Sequence, residues 1–279
     1  MEFITYFLSA VFGLLSTAGF FVESIAKNSI RSQFDRVEQL QVRVDNVPSY
    51  QLVQGKLERV RIAGRGLWLI PEARIAALEL ETDPVDVNIQ RLRQRGQLPT
   101  AALRQPLQAG VRLVLTEADI NQALQTPRIK AVLQNLVTRY AGAFLNQGSQ
   151  RYTFVNPRVE FLENNRLRFQ VELQQEGETQ TTDAADGRKL PIRLESGIAF
   201  VSGRRLQLIE PSASIDNNEI PSFLLGPLSQ SLTEQFDLGQ LEQSGITARL
   251  LQLKINPDQL EIAAFVRVLP SPSLQKVNN

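Results

Sequence analysis

The sequence predicts an α+β protein with a long, curved antiparallel meander sheet wrapped around amphipathic helices, elongated in shape and preceded by an N-terminal apolar helix. Three observations predict this fold class. Apolar and polar residues alternate over long segments, which is typical of strands with one buried face. Short turns rich in Asn, Gly and Pro separate these segments and favour hairpins. Only a few segments show the three-to-four-residue apolar spacing of helices.

The N-terminal segment 3–22, FITYFLSAVFGLLSTAGFFV, carries no charged side chain. About 20 apolar residues form about 30 Å of helix, which is just enough to cross the hydrocarbon core of a membrane. Helical apolar spacing continues past Glu23, so residues 1–38 are predicted as one helix. Because a basic start and a clear cleavage site are both missing, three readings stay open: a cleaved signal, a membrane anchor, and a helix that lies in one leaflet or is clasped by the domain.

Residues 39–269 are predicted to form a single elongated α+β domain, and residues 270–279 a disordered tail. Period-two alternation predicts strands around Val60, Leu78 and Val111. Later strand segments are RLRFQVEL (166–173), PIRLESGIAF (191–200) and QLEIAAFVRV (259–268). The junctions FLENNRLRF, FVSGRRLQL and INPDQLEI join neighbouring strands through Asn, Gly or Pro-Asp turns, so the sheet is predicted to be largely an antiparallel meander.

Three further helices are predicted. The segment TEADINQAL (116–124) begins with Thr116 as N-cap and has Asp119 three residues later, which is close to a capping box. The segment 127–147 begins with a proline and carries one broad apolar stripe. The segment 221–236 is predicted to be helical after Pro227, with Pro221 and Pro227 delimiting it.

Composition excludes several classes of site. The 30 basic and 29 acidic residues give a net charge of +1, so no nucleic-acid-binding surface is expected. The chain has no cysteine and no histidine, which excludes a thiol nucleophile, a Ser-His-Asp triad and a histidine-ligated zinc site. Glu117 and Asp119 are interpreted as helix N-terminal acids rather than a catalytic pair. We therefore expect a protein that is not an enzyme and uses no metal or cofactor.

An apolar seam between the sheet and the helices is the candidate site. Its predicted lining comprises Ile129, Leu133, Leu136, Tyr140 and Phe144 from a helix, and Leu167, Phe169, Val171, Ile192, Leu194, Ile198 and Phe200 from strands. Alternation is compatible with a packed core and with a groove for acyl chains, so both readings stay open. In the basic segment 91–105, Arg91, Arg93 and Arg95 are candidates for contact with anionic head groups, and a solvated loop is the alternative.

The order of four segments resembles the LmeA-like phospholipid-binding family of bacterial envelope proteins. The segments are VEQLQVRVDNVPSYQLVQGKLERVRIAGRGLWL, RIAALELETDPVDVN, LTEADINQAL and VNPRVEFLENNRLRFQVEL, which span residues 37–173. The resemblance implies an elongated sheet wrapped on helices, with phospholipid in an apolar cavity and no catalytic constellation. It also implies the extracytoplasmic side of a membrane, whereas the basic flank with Lys27, Arg31 and Arg36 would lie in the cytoplasm if the helix spans.

The residues together with this resemblance predict a membrane-associated protein that holds acyl chains in an apolar groove; the phospholipid and a role in lipid transport or envelope maintenance are what the resemblance implies. The alternative is a membrane-tethered scaffold or interaction domain with a packed core and no ligand. A hydrolase that uses only carboxylates is a more distant alternative, because it needs two facing carboxylates in a polar cleft.

Overall fold

The computed structural model describes residues 30–32, 34–45, 51, 54–92, 99–127, 129–131, 134, 151–176 and 189–271. The chain divides into two compact units, the first within residues 1–114, 238–252 and 262–279, and the second within residues 115–237 and 253–261. This division leaves the single domain over 39–269 a prediction. Most described residues lie in antiparallel strands, which confirms the predicted sheet class.

The strands are β1 (Arg36–Asp45), β2 (Lys56–Leu57), β3 (Arg59–Ile70), β4 (Ala73–Thr82), β5 (Val85–Asp86), β6 (Leu107–Thr116), β7 (Arg151–Phe161), β8 (Arg166–Glu176), β9 (Lys189–Val201), β10 (Arg205–Ile215), β11 (Asn218–Glu219), β12 (Ile246–Ile255) and β13 (Gln259–Val268). The α-helices that lie wholly within the described residues are α1 (Ile89–Leu92), α2 (Glu117–Leu124) and α3 (Gly226–Gln235). Short 3₁₀ helices occupy Pro99–Ala102, Ser222–Leu225 and Leu238–Ser244.

The longer strands form two sheets. A five-stranded sheet has the order β11-β10-β9-β8-β7, which is an uninterrupted meander as the turn signals predict. A six-stranded sheet has the order β1-β3-β4-β6-β13-β12 and takes its last two strands from the C-terminal part of the chain. The short strands β2 and β5 pair with each other. The prediction of a single meander sheet therefore describes one of the two large sheets fully and the other in part.

The six-stranded sheet shows the predicted alternation of buried and exposed residues. In β3, Val60 is 0% exposed and Ile62 is 3% exposed, while the neighbouring Arg59 lies in solvent. The buried Trp68 lies under the guanidinium of Arg36, whose central carbon is 3.5 Å from the ring centroid. Trp68 is therefore part of the core of this unit, with a cation–π contact on its ring.

The strand that carries Trp68 contains a glycine with positive φ. Gly66 has φ of +55°, and a Cβ at this position would overlap the side chain of Glu38 on β1. Both constraints favour glycine, because other residues rarely adopt positive φ and would also displace the glutamate.

The N-terminal helix prediction extends too far along the chain. Ile30 and Arg31 are helical, but β1 already begins at Arg36, where the backbone pairs with Trp68 of β3. The N–H of Asp35 donates to the carbonyl of Trp68 at 2.8 Å. The backbone here is therefore paired with the sheet, although the apolar spacing of the sequence is that of a helix. The apolar segment 3–22 lies outside the described residues.

The second unit is a meander because tight turns with positive φ join its strands. Asn164 and Asn165 have φ of +59° and +57° between β7 and β8, and Asp216 and Asn217 have +51° and +61° between β10 and β11. Two consecutive residues with positive φ match the twist of antiparallel strands, and asparagine tolerates this conformation. The predicted turn in FLENNRLRF is therefore confirmed.

Two predicted helices are confirmed in this unit. α2 has the full capping box: the Asp119 N–H donates to Thr116 Oγ1 at 3.1 Å, and the Thr116 N–H donates to Asp119 Oδ2 at 3.0 Å. α3 begins at Gly226 with Pro227 in its first turn, directly after the 3₁₀ helix that follows Pro221.

Candidate functional site

The strand residues of the predicted seam lie on one face of the five-stranded sheet, here called the apolar face. The face is built from the cross-strand pairs Leu167 with Ser196, Phe169 with Leu194, Val171 with Ile192, Ile198 with Leu208, and Phe200 with Leu206. Partners across a ladder point to the same side, and residues two apart along a strand do so as well. The strand half of the predicted lining is therefore brought together by the register.

Burial varies along the apolar face. Val171 is 4% exposed, whereas Ile192 and Leu194 on the neighbouring strand are half-buried. Leu167, Phe169, Ile198 and Phe200 are also half-buried. Apolar side chains that stay half-accessible leave area that a further apolar group can cover.

The end of the apolar face beside α2 is packed. Val159, Phe161 and Ile255 form a buried cluster there. The partly buried side chains packed against this cluster are Ile120, Leu124, Leu167, Phe169, Ile198, Leu253 and Leu260. At this end, the packed-core reading of the alternation describes the structure.

A buried serine interrupts the apolar stripe of β9. Ser196 is 1% exposed, and its hydroxyl oxygen lies 2.7 Å from the carbonyl oxygen of Gly197 and 3.1 Å from that of Ile209. The hydroxyl is thus satisfied by the backbone, which removes the cost of burying it. Sequence analysis passed over Ser196, although it lies between Leu194 and Ile198 in the same stripe.

The helical wall of the predicted seam is described only at its start. Pro127 and Ile129 are helical, as predicted, and Ile129 is half-buried. Leu133, Leu136, Tyr140 and Phe144 lie outside the described residues.

The basic loop is described only at its first arginine. Arg91 lies in the last turn of α1, and its Nη1 donates to the carbonyl of Ala101 at 3.3 Å. Asn88 caps this helix by accepting the N–H of Arg91 at 3.2 Å. Arg93 and Arg95 lie outside the described residues, so the role of the three arginines in head-group contact stays a prediction.

Polar side chains of α2 cover the edge strand of the five-stranded sheet. Asn121 makes two bonds to the backbone of Val159 in β7: its Oδ1 accepts the N–H at 2.7 Å and its Nδ2 donates to the carbonyl at 2.8 Å. Glu117 Oε2 accepts the Phe161 N–H at 2.9 Å, and Gln125 Nε2 donates to the Pro157 carbonyl at 2.9 Å.

The spacing of these contacts explains how a helix can pair with a strand. Four helix residues rise about 6 Å, and two strand residues rise about 6.6 Å, so side chains at i, i+4 and i+8 stay in step with alternate strand residues. α2 therefore occupies hydrogen-bonding groups of β7 that an edge strand would leave open. The polar stripe of Glu117, Asn121 and Gln125 in the sequence was the available signal, and sequence analysis did not use it.

Both carboxylates considered as a catalytic pair have structural partners. Asp119 completes the capping box, and Glu117 accepts the N–H of Phe161. The pair thus stabilises the start of α2 and its attachment to β7.

Two arginines surround a carboxylate on the other face of the five-stranded sheet, here called the polar face. Glu195 lies 3.2 Å from Arg166 and 3.0 Å from Arg168, and Arg168 also lies 2.7 Å from Glu160. Burial acts to raise the pKa of Glu195, but the hydrogen bonds from Arg168 and Arg166 outweigh it, so this pKa lies below its ordinary value. The hydrogen bond to Glu195, followed by that to Glu160, raises the pKa of Arg168.

A groove of about 690 Å³ runs along the six-stranded sheet. Its lining includes Arg43, Arg61 and Glu81, with the small residues Ala63 and Gly110 between them. The charges are matched within the sheet: Arg61 lies 3.4 Å from Glu81, and the neighbouring Arg43 lies 2.8 Å from Asp45. The hydrogen bond from Arg43 holds the pKa of Asp45 below its ordinary value. The lining of this groove is thus mixed, with paired charges beside a larger share of apolar surface.

Two further classes of feature are absent from the described ranges. None of the helices described there has the length and apolarity needed to cross a membrane. No group of three acidic side chains among those same residues is placed to hold a metal ion.

A family model for LmeA-like phospholipid-binding proteins matches residues 14–265, which is nearly the whole chain. This chain belongs to the LmeA-like phospholipid-binding family. The resemblance seen in the segment order is thereby confirmed. Membership of this phospholipid-binding family indicates lipid as the class of ligand and association with membranes.

Two other comparisons add little. No curated protein shows significant sequence similarity to this chain. A solved structure of the SMP domain and the two C2 domains of Extended-Synaptotagmin 2 matches with 10% identity and a TM-score of 0.14, covering 95% of this chain and 61% of that chain. This chain thus spans about three fifths of the length of the solved chain, and a TM-score this low carries no argument about the fold.

Proposed function

We propose that this LmeA-like protein holds a phospholipid by its acyl chains against the apolar face of the five-stranded sheet. The observation that carries the proposal is the row of half-buried side chains on β8 and β9 in a chain of a phospholipid-binding family. The helix that begins at Pro127 would supply the opposite wall through Ile129, Leu133, Leu136, Tyr140 and Phe144. The packed cluster beside α2 would close one end of the seam.

The energetics favour retention of a bound chain. Each methylene kept out of water contributes about 0.8 kcal/mol, so ten methylenes contribute about 8 kcal/mol against release into water. Transfer between a bilayer and an apolar seam exchanges one apolar environment for another. A protein of this kind would therefore load and unload at membranes, as a role in lipid transport or envelope maintenance requires, without chemical change to the lipid.

The membrane contact proposed for this protein includes Arg91, Arg93 and Arg95. A basic segment near anionic lipid gains about 1 kcal/mol per residue. Replacing all three with Gln should weaken binding to anionic vesicles at low salt and flatten its salt dependence. Unchanged binding would show that the segment is a solvated loop that does not contribute to membrane contact. The family resemblance favours the extracytoplasmic side of the membrane for this contact.

Two matched substitutions test the acyl-chain seam. Leu194→Trp places a large side chain on the half-buried part of the apolar face where we propose lipid, and Val159→Trp places the same side chain in the packed cluster. Overfilling a packed core costs about 1–3 kcal/mol, whereas a side chain that enters a groove displaces ligand instead.

The two variants are compared by lipid carried per folded protein, measured by native mass spectrometry, and by melting temperature. We expect Leu194→Trp to lose lipid and melt close to the wild type, and Val159→Trp to melt early while its folded fraction keeps lipid. If Leu194→Trp melts as early as Val159→Trp and the wild type carries no lipid, the packed scaffold is the correct reading.

A further inference from the structure

We propose that the polar face of the five-stranded sheet carries a second binding site, which takes an oxyanion of the phosphate type. The site is a row of side chains across four neighbouring strands: Arg158 of β7, Gln170 of β8, Arg193 of β9 and Ser214 of β10. Each is the direct ladder partner of the next, so the four lie side by side.

The row lines a cavity of about 230 Å³. This is several times the roughly 30 Å³ that a water molecule occupies in the liquid, so a phosphate group fits with some water. Arg158 and Arg193 are two strands apart, which is about 10 Å at the usual strand spacing, and two long arginine side chains can converge on one anion across that distance. Gln170 lies between them.

The guanidinium N–H groups of Arg158 and Arg193 are available to bind an anion, in contrast to those of the neighbouring arginines on the same face. Arg166 and Arg168 on the same face are bound to Glu195, which therefore offers no free oxygen to Arg193 two residues away. Within the described part of the chain, no ion pair or side-chain hydrogen bond involves Arg193. Arg158 forms a long ion pair with Glu117, with Nη2 4.0 Å from Oε1, which leaves its N–H groups without a hydrogen bond to that carboxylate. An arginine with unused donors in a cavity favours a planar or tetrahedral oxyanion, which it can bind with two parallel bonds.

The polar groups around the row also favour an anion. Gln170 and Ser214 can donate from their amide and hydroxyl groups. The cavity lining has one carboxylate, Glu172, and its Oε2 accepts the amide of Asn156 at 3.1 Å. With two arginines and one glutamate, the charge of the lining is positive.

Two irregularities of the backbone shape the cavity. β7 shifts register between Val155 and Arg158, and Asn156 there has φ of +55°. At the other side the tight turn with Asn217 brings a further amide into the lining. A bulge changes the direction of the side chains around it, and Arg158 lies at the end of this register shift.

This site does not depend on the acyl-chain seam. Residues 170, 193 and 214 alternate with apolar-face residues along their strands, so their side chains point away from those of Val171 and Ile192, although both of these residues also border the cavity. An oxyanion of the phosphate type occurs both in the phosphodiester of a lipid head group on a membrane surface and in a soluble phosphate compound.

The test compares Arg193→Gln with Arg205→Gln in the full chain. Arg205 is an exposed arginine on the same sheet that does not line the cavity, so both variants lose one positive charge from one sheet. One probe is inorganic phosphate, followed by amide chemical shifts. The other is flotation with phosphatidylcholine vesicles with and without phosphatidylglycerol.

We expect inorganic phosphate or the anionic vesicles to bind Arg193→Gln at least about tenfold more weakly than the wild type, with Arg205→Gln within about twofold. A loss with vesicles alone identifies a lipid head group as the ligand, and a loss with inorganic phosphate alone identifies a soluble phosphate compound. Arg158→Gln should reproduce the loss, and melting temperatures check that the variants fold. Equal behaviour of Arg193→Gln and Arg205→Gln with both probes would overturn the site, whatever the lipid content of the seam.

Discussion

Removal of the Asn121 side chain tests the claim that α2 protects the edge of the five-stranded sheet. In Asn121→Ala, the N–H and the carbonyl of Val159 both lose their partner, at distances of 2.7 Å and 2.8 Å in the wild type. Both groups are only partly buried, so water can replace some of the lost bonding. At about 1 kcal/mol for each bond, the loss is about 2 kcal/mol.

This loss corresponds to a decrease in melting temperature of about 4–8 °C for a protein of this size class. The assay is thermal melting followed by circular dichroism, together with hydrogen exchange at the amide of Val159. Gln122→Ala is the matched control, because Gln122 is the exposed neighbour on the same helix. We also expect Asn121→Ala to aggregate more readily, since an open strand edge can pair with another chain. If both variants melt together and the amide of Val159 stays protected, α2 does not act as the edge cover.

Two further predictions concern charge and backbone conformation. The folded pKa of Glu195 lies below its ordinary value of 4.5, so its carboxylate stabilises the fold above that pH and this contribution is lost as the pH falls through the folded pKa. In Glu195→Gln, the melting temperature should therefore fall less steeply as the pH is lowered than it does in the wild type. Glu163→Gln, in the β7–β8 turn, should show the same fall as the wild type. The same fall in the wild type and both variants would refute a stabilising role for the ion pairs of Glu195. Gly66→Ala should cost about 1–2 kcal/mol in denaturant unfolding, because it forces positive φ on alanine and displaces Glu38, whereas Gly110→Ala, whose added Cβ meets no atom within 4 Å, should be nearly neutral. Equal costs at Gly66 and Gly110 would refute the steric account.

The sequence predicted the features that depend on neighbouring residues. The turn at Asn164 and Asn165 follows from the tolerance of asparagine for positive φ, and the capping box at Thr116 and Asp119 follows from spacing along one helix. The alternation of apolar and polar residues predicted that Val171 and Ile192 each lie on an apolar strand face, because the side-chain period of a strand is two.

The features it missed depend on contacts between distant residues. Alternation in β6 and β13 does not reveal that these strands are neighbours, because β6 ends at Thr116 and β13 begins only at Gln259. The polar stripe of α2 gains its meaning only once β7 is known to be a sheet edge. The row from Arg158 to Ser214 likewise appears only after the register of four strands is fixed.

The central claim is that an acyl chain lies on the apolar face, and site-specific photocrosslinking tests it most directly. A benzophenone amino acid is placed at Leu194, which is half-buried and pairs with Phe169 on the apolar face, or at Val201 of the same strand, which is 44% exposed and points to the other side. The full chain is irradiated with vesicles that contain a phospholipid labelled on its acyl chain. The account predicts crosslinks to lipid at position 194 and few at position 201. Equal labelling at both positions, or none at position 194, would contradict it.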